Sequence, residues 1–203
     1  MVKDLIDTLY TAILIGVILI AASFLYYFRF QLPVLGPVLI RRYYNYGAYE
    51  REVQKICEDA KNYFAKIPVA ENSLIIFDVD DTALYNLRFR ATTDLISPKT
   101  TAILPVLELY NYLMSKGFNI VFLTSRDNCE RTKEELIKSG YKGFKDVICM
   151  REFDDNYTAY WKGKKRKLLA QTYSIVGSIA DRERDFVGGN MGHRVKLPNY
   201  LYS

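Results

Sequence analysis

Three aspartates, Asp78, Asp80 and Asp81, follow directly on the apolar run Ser73–Phe77. Carboxylates at the end of a buried strand are costly unless they hold a cation or do chemistry. While the chain stays extended, alternation puts Asp78 and Asp80 on the same side. Two close carboxylates repel each other, and a divalent cation relieves that repulsion. A helix cap or Asx-turn needs only one acid. A calcium-binding loop counted from Asp78 fails, with Ala83 in the place of its glycine and Phe89 in the place of its bidentate glutamate. A second acidic pair, Asp181 and Asp185, follows another apolar run near Ser174–Ser178. Two acidic pairs at two strand ends are hard to explain by local capping. Thr124, Ser125 and Arg126 close the run Asn119–Leu123 and offer a hydroxyl and backbone amides to the same crevice. Alone they read as caps of the next helix. Lys162, in Trp161-Lys162-Gly163 at an expected helix start, can point into that crevice; alone it reads as a solvated lysine.

The elements that must position these residues follow from periodicity. Val53, Ile56, Cys57, Ala60 and Phe64 recur at helical spacing, as do Val106, Leu109, Tyr110 and Leu113 after Pro105, with Gly117 as the stop. Strands are expected at Ser73–Phe77, Asn119–Leu123, Asp146–Cys149 and Ser174–Ser178. Asp127 with Glu130 resembles a capping box for a helix reaching Lys138, and a further helix is expected near Lys164–Gln171. Apolar strands alternating with amphipathic helices imply an α/β fold: a Rossmann-like parallel sheet covered by helices on both faces. In such sheets ligands bind beyond the carboxyl ends of the strands, where the aspartates lie. There is no internal repeat.

Composition excludes several classes. The 203 residues are 50% hydrophobic and 25% charged, which rules out a disordered tail or a fibre. A net charge of +5 is too mild to indicate nucleic-acid binding. Cys57, Cys129 and Cys149 are too few and too scattered for a disulfide framework. A single histidine, His193, excludes a histidine-based metal cluster and reads as a surface residue. No cysteine has an arginine six positions later (Tyr63, Glu135 and Asp155 stand there), so cysteine-phosphatase chemistry is excluded. No GxxxxGK[ST] phosphate loop is present. Lys162, Lys164, Lys165, Arg166 and Lys167 are read as a solvated face plus one lysine in the site.

Thr8 to Phe28 is a stretch of 21 residues without a charge. About 20 apolar residues span a bilayer as a helix. Tyr10, Tyr26 and Tyr27 sit near the ends, and Arg29 closes the stretch. A transmembrane anchor over residues 1–29 is the favoured reading, with a signal peptide and a buried soluble helix as alternatives. Residues 30–45, with Pro33, Gly36 and Pro37, read as a juxtamembrane linker, and residues 46–203 as the catalytic domain. Arg29, Arg41 and Arg42 follow the span, which by the positive-inside rule places the body in the cytoplasm, whereas the charge difference across the span is small; the side of the membrane stays open. Nothing in the pattern specifies an oligomer.

The segment FDVDDTALYN resembles the first motif, DxDx[TV], of the haloacid dehalogenase-like phosphohydrolases. ILPVLELYNYLMSKGFNIVFLTSR, ELIKSGY, WKGKKRKLLAQTYSIVGSIADRERDF and VKLPNYLY are similar to the class B acid phosphatase and plant vegetative storage protein branch, over roughly residues 50 to 202. The resemblance implies a Mg²⁺-dependent phosphomonoesterase. Asp78 would be the nucleophile that forms an aspartyl-phosphate, and Asp80 the general acid and then the base. Thr124 and Lys162 would hold the phosphoryl oxygens. Asp78, the Asp80 backbone carbonyl, Asp181 and Asp185 would hold Mg²⁺. The expected partners are a small phosphomonoester, nucleotides included, and the membrane through the N-terminal helix; no nucleic acid is expected. Residues 87–104 leave room only for a small cap. The chain departs from the family at Ala180, where glycine is usual. It departs again at Arg182, Glu183 and Arg184 between the two acids, and at Gly163, where serine is usual. These departures feed two alternatives: a weak or inactive phosphate-binding or storage protein, and a phosphotransferase to alcohol acceptors.

Overall fold

The computed structural model describes residues 2–85, 102–150 and 155–200. The expected cap at 87–104 therefore lies, up to residue 101, outside the described residues. The chain divides into two compact units, Met1–Tyr43 and Tyr44–Ser203.

Helix α1 runs Val2–Asn45. Its stretch Leu9–Tyr26 has a mean hydropathy of 2.3 with none of its residues buried, and is long and apolar enough to cross a membrane. Residues 30–45, read from the sequence as a linker, continue the helix. Pro33 and Pro37 each remove a ladder hydrogen bond there without ending it.

In the second unit, helix α2 (Ala48–Phe64) is followed by strand β1 (Ser73–Phe77), helix α3 (Leu104–Ser115), strand β2 (Asn119–Thr124), helix α4 (Cys129–Lys138), strand β3 (Asp146–Cys149), helix α5 (Asp155–Leu169), strand β4 (Ser174–Ala180), a 3₁₀ turn (Glu183–Phe186) and strand β5 (His193–Lys196). The five strands form one parallel sheet in the order β3-β2-β1-β4-β5. The chain steps outward from β1 to β3 and then crosses back to β4. The central strand β1 thus meets β4 at the topological switch point, where such sheets open a ligand crevice.

Both sheet faces are covered, which explains why β1 and β2 read as unbroken apolar runs. On one face Leu74, Ile76, Val121 and Leu123 pack against Trp161 and Leu169 of α5. On the other, the Phe77 and Phe122 rings lie 5.9 Å from the Tyr110 ring of α3. Phe64 of α2 lies over Gly177, where an added Cβ would meet its ring at 2.4 Å, so β4 admits only glycine at that point.

Several local expectations are corrected. The cap of α4 is Asn128, whose Oδ1 accepts the Arg131 N–H at 3.0 Å; the Asp127–Glu130 capping box does not form. Helix α5 starts nine residues before the expected Lys164 and carries Lys162 in its interior. The reason is chemical: Thr158, Lys162 and Arg166, at i, i+4 and i+8, are its buried stripe, so it lacks an apolar period there. Cys129 and Cys149, 20 residues apart in sequence, form a disulfide with Cα atoms 5.6 Å apart. The β2–α4–β3 crossover brings the start of α4 beside the end of β3. Strand β5 was not legible, because only Val195 of its four residues is buried.

Candidate active site

The ends of β1 and β4 bring the acids together. Asp78 still belongs to the sheet, its N–H donating to the Ile179 carbonyl at 2.9 Å. The chain then turns sharply. The Ala83 and Leu84 N–H groups both donate to the Val79 carbonyl (2.9 and 2.8 Å), and Asp81 adopts φ 53°, a left-handed conformation that aspartate tolerates. The turn places the buried Thr82 hydroxyl 3.3 Å from Asp78 Oδ2 and 3.3 Å from Asp181 Oδ1. Asp78, Asp181 and Asp185 are all buried, with one carboxylate oxygen of each within 4.8 Å of the others.

Lys162 lies among them, only 3% exposed. Its Nζ donates to Asp78 Oδ1 at 2.5 Å and pairs with Asp185 Oδ1 at 2.7 Å. The neighbouring Lys164 and Lys167 are exposed. One lysine faces three buried carboxylates, so negative charge is left uncompensated. Burial pushes the Asp78 carboxyl up to about 8; Lys162 pulls the other way, and the charges of Asp185 and Asp181 add to the rise. Burial likewise raises Asp181, with Asn199, the first of its opposing influences, lowering it. Three hard oxygen donors with excess negative charge fit a divalent cation.

Asp80 sits at the more open edge, its side chain 30% exposed. Arg126 grips both of its oxygens (Nε 2.9 Å, Nη2 2.8 Å) and is itself tied to Glu135 at 2.7 Å. Because the Asp80 carboxylate is taken up in this way, any part in holding a cation would fall to its backbone carbonyl. Thr124 is buried at the end of β2, next to β1, and its Oγ1 accepts the Arg126 N–H at 3.2 Å. His193 stacks on Tyr63 with centroids 3.6 Å apart, at the amino end of β5 and away from the acids.

Three residues that matter to this geometry were missed by the sequence reading. Arg126 was counted only for its backbone. Arg166, assigned to a solvated face, is 1% exposed and donates to the carbonyls of Asp185 (2.6 Å), Val187 and Gly189 (3.1 Å), holding the loop after Asp181 against α5. Its only signal was its i+4 spacing from Lys162. Asn199 donates from Nδ2 to Asp181 Oδ2 at 2.5 Å; it stands in VKLPNYLY, which carries the family resemblance but gives no sign of this partner. Beside Arg166, Gly163 and Gly188 meet backbone to backbone: a Cβ on Gly163 would lie 3.3 Å from Gly188 Cα, and one on Gly188 would lie 3.1 Å from Gly163 Cα.

The departures between the two acids differ in placement: Glu183 is exposed, while Arg182 and Arg184 are half-buried. Glu183 is exposed and pairs with Arg194. Arg182 approaches the cluster, with Nε 3.8 Å from Asp181 Oδ2. Ala180 is buried, and its carbonyl accepts the Leu197 N–H at 2.9 Å.

Comparison with known proteins agrees with this geometry. The family described as HAD superfamily, subfamily IIIB (Acid phosphatase) matches residues 38–203. The stem 28 kDa glycoprotein of Glycine max is 30% identical over 183 residues, covering 80% of this chain and 72% of its own length. Acid phosphatase 1 of Solanum lycopersicum is 26% identical over 185 residues, covering 80% and 72%. Among solved structures, the class C acid phosphatase from Bacillus anthracis with tungstate bound superposes with a TM-score of 0.62 at 19% identity, over 82% of this chain and 84% of that one, which shows the shared fold. The strand order, the acids at the switch point and the match over residues 38–203 together establish that this chain belongs to the acid phosphatases of HAD superfamily subfamily IIIB, a family of phosphomonoester hydrolases.

Proposed function

We propose that this chain is a Mg²⁺-dependent phosphomonoesterase that works through an aspartyl-phosphate on Asp78. The observation that carries the reading is Lys162, buried between Asp78 and Asp185 with Asp181 alongside. Structural ion pairing needs one carboxylate per lysine. A site for a phosphoryl dianion needs a nucleophile with cations arranged around it.

Asp78 attacks phosphorus: a P–O bond to its carboxylate forms, and the bond to the leaving alcohol breaks. Asp80 is oriented by Arg126, which holds both of its oxygens; one oxygen leaves the arginine and takes up a solvent proton as substrate binds, and Asp80 then gives that proton to the alcohol. Asp80 then takes a proton from the water that hydrolyses the acyl phosphate. Lys162 stays charged and holds a phosphoryl oxygen together with the Thr124 hydroxyl. Asp78, Asp181, Asp185 and the Asp80 carbonyl would hold Mg²⁺, which when bound supplies positive charge against the phosphoryl oxygens. The substrate would be a small phosphomonoester; the family makes nucleotides one class to assay.

The domain layout goes with this reading: a membrane anchor within residues 1–29 and a phosphatase domain over 46–203. The Cys129–Cys149 disulfide supports a catalytic body on the oxidising side of the membrane, against the arginine flank. The test is phosphate release from a chromogenic aryl phosphate by wild type and Asp78→Asn, with and without Mg²⁺. Mg²⁺-dependent release that vanishes in the variant is the expected result. A folded wild type that releases nothing from a panel of phosphomonoesters would refute the enzyme reading.

A further inference from the structure

The C-terminal segment returns to the acidic cluster after leaving the sheet. Leu197 extends the β4–β5 ladder by donating to the Ala180 carbonyl at 2.9 Å, and Asn199 then reaches Asp181 Oδ2 at 2.5 Å. The next residue is held at two points. The Tyr200 N–H donates to Tyr44 Oη at 3.1 Å, and its hydroxyl donates to Glu52 at 3.4 Å. Tyr44 is itself buried, its ring 4.9 Å from that of Tyr49.

The two oxygens of Asp181 therefore face different ways. Oδ1 shares the Thr82 hydroxyl with Asp78 and belongs to the cluster. Oδ2 faces the tail, with Arg182 3.8 Å away. A buried carboxylate at 2% exposure cannot exchange these roles without losing the Asn199 hydrogen bond. We propose that Asn199 is a positioning residue for the divalent cation: by holding Oδ2 it presents Oδ1 to the ion, so the docked tail and the bound ion stabilise each other. This rests on the metal-dependent reading of the cluster. Groups that hydrogen-bond a metal ligand commonly set affinity by about 10- to 100-fold. The coupling is reciprocal: if the tail favours the ion, the ion favours the docked tail by the same factor.

The experiment uses the full chain in detergent micelles. Mg²⁺ binding is measured by calorimetry for wild type, Asn199→Ala and Tyr44→Phe, and amide exchange at Tyr200 is followed with and without Mg²⁺. Wild type should bind, and Asn199→Ala should bind about tenfold more weakly. Tyr44→Phe, which cuts the tail's tether at Tyr200 and leaves the Asn199–Asp181 hydrogen bond its own partners, should show a smaller loss in the same direction. The Tyr200 amide of wild type should exchange more slowly in Mg²⁺, which reads the coupling in a protein with no substitution. A wild type that binds no Mg²⁺ would overturn the metal reading and this inference with it. A wild type that binds, with unchanged affinity in Asn199→Ala and Mg²⁺-independent exchange at Tyr200, would overturn the inference alone.

Discussion

Replacing Arg166 with methionine tests how the acidic loop is held. The guanidinium bonds three carbonyls of the loop that carries Asp185. Hydrogen bonds to a charged group contribute about 1.5–3 kcal/mol each. Val187 and Gly189 are exposed, so in the variant their carbonyls can turn to water; Asp185 is buried and its carbonyl cannot. Methionine fills most of the volume and removes the cost of burying the guanidinium. The net loss should therefore be about 3 kcal/mol, close to one strong charge-assisted bond. At about 2–4 °C per kcal/mol for a domain of this size, melting should fall by about 6–12 °C. Activity should fall further than stability implies, because the same loop sets the 2.7 Å contact between Asp185 and Lys162. A displacement of about 1 Å in such a site costs on the order of 10²-fold in kcat. Arg166→Lys keeps the charge without the fork and should fall between. The assays are thermal melting in EDTA and phosphate-release kinetics at saturating Mg²⁺. A methionine variant that melts within about 2 °C of wild type and keeps its kcat would refute the reasoning.

Other outcomes follow from the same geometry. Asp78 is raised from 3.8 to about 8, so the metal-free fold keeps a proton that the unfolded chain releases. Its contribution to stability is full below about pH 4 and is lost as pH rises through about 8. Mg²⁺ must displace that proton, so titrations near neutrality in buffers of different ionisation enthalpy should show release of about one proton, vanishing well above pH 8; absence of release would count against it. Opening the Cys129–Cys149 disulfide, which closes a 20-residue span, should cost about 3 kcal/mol and lower the melting temperature in reductant; an identical melt with and without reductant would contradict this. Glu183→Gln should leave kcat and Mg²⁺ affinity unchanged, since Glu183 is exposed and paired with Arg194. Arg182→Gln should tighten Mg²⁺ binding, because it removes a cation from beside Asp181; weaker binding in calorimetry would show that the arginine supports the site instead.

The legible parts of the chain were those where chemistry conflicts with burial. Asp78, Asp181 and Asp185 stood out as carboxylates at the ends of apolar strands, and they do converge. Periodicity located β1, β2, β3 and β4 and fixed the α/β class. It failed at α5, whose buried stripe is Thr158, Lys162 and Arg166, because a polar stripe looks like a solvated one. Arg126 and Arg166 were hidden for a related reason. Arginine in a basic or capping context gives no local sign of a buried partner; Asp80 lies 46 residues from Arg126, and the carbonyls that Arg166 holds lie 19 or more residues from it. Asn199 is 18 residues from Asp181 and meets it only because β5 returns the chain to the strand ends.

The contact between Gly163 and Gly188 makes the width of the crevice a matter of atomic size at two positions. Helix α5 supplies Lys162, the loop after Asp181 supplies Asp185, and the two backbones touch immediately behind that pair. A side chain at 163 would act as a spacer: a Cβ there meets the Val187 carbonyl at 3.1 Å, so the loop must retreat. At 188, φ of +95° excludes most side chains on conformational grounds as well. Neither position has room for a side chain at the present spacing, and an alanine at 163 would act as a shim that sets lysine and aspartate a few tenths of an ångström further apart.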